Sequence, residues 1–83
     1  MSIGNQTLFG NLRQLAESLH IDIREEAMEE GRGGIYLLGG RRHLLINSLL
    51  PVEAKVDLLI EALKKEDLSG VFVLPALREV LEN

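Results

Sequence analysis

The sequence lacks cysteine and tryptophan, and its only aromatic side chains are one tyrosine and two phenylalanines. Without thiols, the chain can form neither a disulfide framework nor a metal site built from thiolates. The scarcity of aromatic rings removes the usual stacking platform for single-stranded nucleic acid. A chain without cysteine is compatible with a reducing compartment, and we expect a cytoplasmic protein.

Long apolar runs are also missing, since no stretch approaches the ~20 residues that a membrane span requires. Residues 1–9 have neither a basic start nor a long apolar core, so we expect no signal peptide and no membrane partner. The length of 83 residues predicts one domain over residues 1–83. A chain this short buries only roughly 60 to 65% of its unfolded surface, which makes support from an oligomer plausible.

Acidic residues outnumber basic ones 13 to 9, giving a net charge of −4. This excess argues against general binding to nucleic acid, because that binding scales with the number of phosphates neutralised by Lys and Arg. Residues 31–43 differ from the rest, since they hold Arg32, Arg41 and Arg42 and no acid. Any contact with an anion is expected in this segment, although its GRGG stretch lacks the GK[ST] of a P-loop.

Residues 33–63 contain the pattern around which the chain is organised, a β-hairpin followed by an amphipathic helix. Gly39 and Gly40 separate two apolar runs and can adopt the positive φ angles of a two-residue turn. This turn pairs Tyr36 with His43 and Ile35 with Leu44, and paired residues share a face. One face then shows Ile35, Leu37, Leu44 and Ile46, and the other shows Tyr36, Leu38, His43 and Leu45. Because both faces are apolar, the hairpin needs covering on both sides.

Periodicity predicts the remaining elements. Leucines at positions 8, 12, 15 and 19 predict an amphipathic helix from residue 6 to residue 19. The alternation in residues 21–24 favours a strand, while Asp22 and Glu25 leave a helix start as the competing interpretation. Pro51 begins a second helix that ends near Glu66. Residues 71–73 form either an edge strand or an extended strap, and Pro75 opens a short final helix.

These elements predict an α+β fold of order α-β-β-β-α-α, with a small three-stranded antiparallel sheet and the helices packed on one face. The side on which residues 21–27 join the hairpin stays open. The helices of so short a chain are expected to cover only one face of the hairpin.

The hairpin followed by a helix resembles the core of zinc peptidases of the ImmA/IrrE kind, whose helix carries HExxH. The motif positions fall on Ile60, Glu61, Ala62, Leu63 and Lys64. The glutamate position matches, but isoleucine and lysine replace the zinc-binding histidines and cannot hold the metal. The resemblance therefore implies a degenerate, inactive metallopeptidase-like domain. The chain also looks like short bacterial proteins without an assigned activity, which implies none.

No other arrangement of residues indicates catalysis. Glu53, Asp57 and Glu61 line one helix face, but His20 and His43 lie on other elements at no telling spacing. The serines lie in no G-x-S-x-G elbow. We therefore expect no enzymatic activity, no cofactor and no metal.

The apolar surface supports the leading hypothesis, a non-enzymatic protein-interaction module that forms a homodimer or binds another protein. The expected surface comprises the second hairpin face and the C-terminal strap, namely Tyr36, Leu38, His43, Leu45, Val71, Phe72 and Val73. The alternative is nucleic-acid or anion binding through Arg32, Arg41 and Arg42.

Overall fold

A computed structural model describes residues 4–82. Residues 1–3 and residue 83 lie outside the described part. The prediction that residues 1–9 are not a signal peptide therefore falls partly on residues that the structure does not describe. The elements are α1 (Asn5–Ser18), β1 (Ile21–Glu26), β2 (Gly33–Leu38), β3 (Arg41–Asn47), α2 (Val52–Leu63) and α3 (Pro75–Leu81). The α+β class and the element order are confirmed.

Helix α1 forms where the leucine periodicity predicts it, with Leu8, Leu12 and Leu15 buried along one side. The helix ends at Ser18 with Leu19 as its C-cap, and His20 adopts a φ of 65° that turns the chain into β1. Residues 21–26 are a strand, so the competing helix interpretation of this segment was wrong.

The hairpin has the predicted register, with Tyr36 opposite His43 and Ile35 opposite Leu44. Gly39 and Gly40 have φ angles of 60° and 81°, the conformation of a type I′ turn that suits the twist of paired strands. A turn of fixed length sets which residues share a face, and for this reason the sequence alone was sufficient here.

The prediction of a purely antiparallel sheet was wrong, because the sheet is mixed. Its strand order is β1-β3-β2, with β1 parallel and β2 antiparallel to the central β3. Residues 27–32 carry the chain past the end of β3, so that β2 begins beyond β3 instead of beside β1. The central position goes to the strand with the fully buried Leu44 and Ile46, while the charged β1 and the glycine-containing β2 form the edges.

Helices α1 and α2 lie on the sheet face that shows Ile21, Ile23, Leu44 and Ile46, and their own apolar faces complete the core. Residues 71–73 are not a strand; they have no regular secondary structure and form the strap that leads into α3. Val73 of the strap and Leu77 of α3 are also buried in this core. No helix within residues 4–82 combines the length and apolar character needed to cross a bilayer.

Asn47 anchors the loop that passes the end of β3. Its buried amide donates to the carbonyls of Met28 (3.2 Å) and Gly31 (2.8 Å), and its oxygen accepts from the N–H groups of Met28 and Leu49 (both 3.1 Å). The side chain thus uses both donors and both lone pairs. These bonds hold residues 28–31 against the end of β3 and allow the two edge strands to lie on opposite sides of it.

Gly33 begins β2 in very close approach to the backbone of β3. Its φ is 116°, and a Cβ atom at this position would overlap the Leu45 carbonyl oxygen and lie 2.7 Å from the carbonyl carbon. Only glycine fits this combination of backbone angle and contact.

Candidate functional site

The two edges of the sheet differ sharply in their chemistry. Strand β1 has the sequence IDIREE, in which four of six side chains are charged, whereas β2 has the sequence GGIYLL and no charge. Charged side chains on an edge strand discourage pairing with a strand of another chain, and proline does the same. Strand β2 has neither device, so its edge is open to strand addition.

The outer edge of β2 presents free backbone groups. The Asn47 N–H donates to the Arg32 carbonyl at 2.8 Å, which places residue 32 among those bonded to β3. Because hydrogen bonding alternates along an antiparallel pair, Gly34, Tyr36 and Leu38 also bond to β3, while the N–H and C=O groups of residues 33, 35 and 37 point outward.

Large aliphatic side chains along β2 are exposed. The exposed fractions are 41% for Ile35, 71% for Leu37 and 61% for Leu38. Ile35 and Leu37 do share a face with the buried Leu44, as predicted. They remain in contact with solvent because α2 covers β2 only in part and leaves a groove beside Ile35.

A groove of about 440 Å³ lies between β2 and α2. Its apolar surface comes from Ile35, Leu44, Leu58 and Ala62, and its charged rim comes from Arg32, Arg42, Glu61, Lys65 and Glu66. The rim carries both signs of charge in nearly equal number. An aliphatic side chain would fit this surface better than an ion of either sign.

The structure does not unite the three arginines of the predicted basic segment. Arg41 binds both carboxylate oxygens of Asp22 (2.8 and 2.9 Å) on one sheet face. On the other face Arg42 binds the Glu66 carboxylate and the Leu19 carbonyl.

Arg32 donates to Glu61 at 2.7 Å at the rim of the groove. Each of the three guanidinium groups therefore already contacts a carboxylate. The sequence could not reveal these partners, because they lie 19 to 29 residues away along the chain.

The sheet face without helices carries Tyr36 and His43, whose rings stack with centroids 5.1 Å apart. The Nδ1 atom of His43 is buried, lies 3.8 Å from the Asp22 carboxylate, and has no hydrogen-bond partner among residues 4–82. On the same face Leu45 is half-buried, and Leu38 is exposed beside the hairpin turn.

The strap lies away from this face, so the predicted self-association residues form two separate surfaces. Phe72 is 80% exposed and borders a small pocket with α1 residues, while Val71 is half-buried. Val73 is buried in the core and contributes no surface to either patch.

The ion pair between Asp22 and Arg41 should appear in the acid dependence of stability. The Arg41 hydrogen bonds lower the pKa of Asp22 below its ordinary value of 3.8. A lowered folded-state pKa gives stability that is present above the unfolded pKa and is lost as the pH falls through the folded value. We expect Asp22→Asn to flatten the decline of unfolding free energy below about pH 4, measured by urea denaturation, with a small effect because the pair is exposed.

The control for this measurement is Asp57→Asn on α2. Asp57 is exposed and makes no ion pair with the other residues of the described range. The Asp57→Asn variant should show the same dependence of unfolding free energy on acid pH as the original chain. An Asp22→Asn variant with an unchanged acid slope would show that the pair contributes nothing to folding.

No protein-family model matches the chain, and comparisons with curated proteins and with solved structures found no significant match. The likeness to ImmA/IrrE peptidases therefore stays a hypothesis from sequence, with Glu61 at the motif's glutamate position engaged by Arg32. Within residues 4–82 no group of three His, Cys, Asp or Glu side chains is placed to hold a metal ion. The geometry alone carries the functional argument.

Proposed function

We propose that this protein is a non-enzymatic interaction module that self-associates as a homodimer through the edge of β2. The partner's β2 adds as an antiparallel strand. The observation that carries the proposal is the uncharged edge strand with Ile35, Leu37 and Leu38 exposed, in a sheet whose other edge is densely charged. Long apolar edge strands that lack protection are sites of strand addition.

Symmetry favours a second copy as the partner. A strand that pairs antiparallel with a copy of itself generates a two-fold axis, and the same surface then serves both subunits. The dimer would contain one continuous sheet of twice three strands. Its outer edges would both be β1, whose charges oppose further addition, so the assembly closes at two copies.

The expected affinity is moderate. Burial of a leucine or isoleucine side chain contributes about 1.5 to 3 kcal/mol when complete. Association itself costs about 4 to 15 kcal/mol, and the side chains of β2 are only partly exposed before pairing. We therefore expect a dimer that dissociates on dilution, with a dissociation constant on the order of micromolar.

The substitution Leu37→Lys tests this interface. Lysine on an edge strand disfavours pairing, so we expect a monomer at concentrations where the original chain is a dimer. Because Leu37 is 71% exposed, the free energy of unfolding measured at high dilution should change by less than about 0.5 kcal/mol. Light scattering and sedimentation over a concentration series give the assembly state.

Phe72→Lys is the matched control, since Phe72 is 80% exposed on the strap and should leave the dimer intact. An original chain that stays monomeric up to high micromolar concentration would refute self-association. A monomeric Phe72→Lys variant beside a dimeric Leu37→Lys variant would assign the interface to the strap instead.

Anion binding through the three arginines has weaker support. Arg32, Arg41 and Arg42 each contact a carboxylate of the same chain, and a phosphate would have to displace these acids. Arg41 and Arg42 also lie on opposite faces of the sheet, so they cannot bind the same anion.

A further inference from the structure

We infer that Tyr36 lies on the two-fold axis of the dimer and that Leu37 of each copy fills the groove between β2 and α2 of the other. This inference rests on the proposed self-association and specifies its register. In this arrangement the groove is an incomplete site within one chain, and the partner copy supplies the missing side chain.

The backbone restricts the possible registers. Because residues 33, 35 and 37 direct their N–H and C=O groups outward, a second strand must match its own outward residues to these. A symmetric antiparallel pair centred on β2 can therefore have its axis at Ile35, Tyr36 or Leu37. An axis at Gly34 would place Leu37 opposite Gly31, outside the strand, and axes at the two ends of β2 would leave most of its six residues without a partner.

The side chains distinguish these three registers. With the axis at Tyr36, each Ile35 lies opposite the partner's Leu37, so these two exposed side chains on the helix-bearing face gain an apolar neighbour, while Leu38 on the other face lies opposite Gly34. With the axis at Ile35, Leu37 lies opposite Gly33 and remains uncovered. With the axis at Leu37, Ile35 lies opposite Gly39 in the hairpin turn, where the strand has ended.

The groove lies where this register places the partner's leucine. Paired residues share a face, so the partner's Leu37 lies beside Ile35 on the side of the sheet that carries α2. Ile35, Leu44, Leu58 and Ala62 line the groove at that point, and its volume of about 440 Å³ accommodates an aliphatic side chain. Because the rim carries positive and negative side chains in nearly equal number, two copies can approach without strong repulsion between like charges.

The opposite face agrees with the same axis. Tyr36 of one copy lies directly opposite Tyr36 of the other, and each ring is already supported by its stack on His43. Aromatic side chains that face one another across two strands stabilise the pairing of those strands. The residue with the largest side chain on β2 would thus lie at the centre of the interface.

Cysteine cross-linking reads the register directly, because the chain contains no cysteine of its own. Tyr36→Cys should form a disulfide with its own copy, since directly opposite residues have Cβ atoms about 4.5 to 5.5 Å apart. Ile35→Cys alone and Leu37→Cys alone should cross-link weakly, because each is offset by two residues from its own copy. An equimolar mixture of Ile35→Cys and Leu37→Cys should give the mixed, disulfide-linked dimer. Both of these variants keep the Tyr36 ring, so this result does not depend on how well Tyr36→Cys dimerises.

Phe72→Cys measures the background from random collision, since its side chain is exposed on the strap. Strong cross-linking of Ile35→Cys or Leu37→Cys alone would overturn the register while leaving the β2 dimer in place. Cross-linking of all β2 variants at background, in a protein that light scattering shows to be dimeric, would reject the edge interface. A monomeric protein throughout would refute the proposed function itself.

A fluorescence measurement tests the occupation of the groove, because the chain also lacks tryptophan. Leu37→Trp should show the emission of a solvent-exposed tryptophan at high dilution and a blue shift on dimerisation. The concentration at the midpoint of this shift should equal the midpoint of dimerisation that light scattering gives for the same variant. Phe72→Trp should keep exposed emission throughout. If Leu37→Trp dimerises without a blue shift, the side chain does not enter the groove and the inference fails.

Discussion

Replacing Gly33 by alanine is expected to lower the free energy of unfolding by about 3 kcal/mol or more. The backbone at Gly33 has a φ of 116°, and an added Cβ would overlap the carbonyl of Leu45. Strained backbone angles of this kind cost a residue with a side chain about 1 to 3 kcal/mol. Steric overlap with a well-packed neighbour adds about 1 to 3 kcal/mol. The neighbour here is backbone of the central strand, which cannot move without disturbing its bonds to both edges.

Gly34→Ala is the matched control one residue further along. A Cβ at Gly34 meets nothing within 4 Å and the residue has no positive φ. Alanine at such a position restricts the unfolded chain, so the variant should be unchanged or more stable by up to about 1 kcal/mol. Urea unfolding followed by circular dichroism gives both values. Equal losses in the two variants would show that the close approach at Gly33 contributes nothing specific.

Replacing Asn47 by aspartate is expected to cost about 3 kcal/mol at neutral pH, although the two side chains have nearly the same shape. The amide nitrogen of Asn47 donates to the carbonyls of Met28 and Gly31. A carboxylate would instead direct an acceptor at these two acceptors in a buried position. An unsatisfied buried polar group costs about 1 to 3 kcal/mol, and a charged one costs more.

Acidification should recover part of this loss. A protonated carboxyl can donate one hydrogen bond, so the difference between Asn47→Asp and the original chain should be smaller near pH 4 than near pH 7. Asn5→Asp is the control, since Asn5 is exposed in the first turn of α1 and a negative charge is favourable there. A loss at Asn47 that does not depend on pH would show that the charge is not its cause.

The elements that sequence alone predicted well are those determined by local chemistry. The leucine spacing of α1, the proline that opens α3 and the Gly39-Gly40 turn each act through residues close in the chain. The orientation of β1 is different, because the alternation of Ile21 and Ile23 with polar residues is typical of antiparallel sheets, whereas β1 is a parallel edge strand with one face open to solvent. Asn47, which makes the strand order possible, reads in the sequence only as the polar end of a strand.

The candidate site was partly visible in the sequence. The apolar character of both hairpin faces follows from the register of the hairpin and led to the hypothesis of self-association. The exposure of Ile35 and Leu37, however, depends on how far α2 extends across the sheet, which no local pattern specifies. The pairing of Arg32 with Glu61 of α2, and of Arg42 with Glu66 after the end of α2, depends in the same way on tertiary packing.

The central position of β3 also determines the order in which the chain can fold. The hairpin closes through contacts between near neighbours, and such hairpins form within about 1 to 10 μs. Strand β1 can be completed only when residues 41–47 are available, because it bonds to β3 and to no other strand of the sheet. During synthesis β1 therefore cannot pair until β3 has left the ribosome, and the leucine face of α1 cannot complete its packing until α2 has emerged as well.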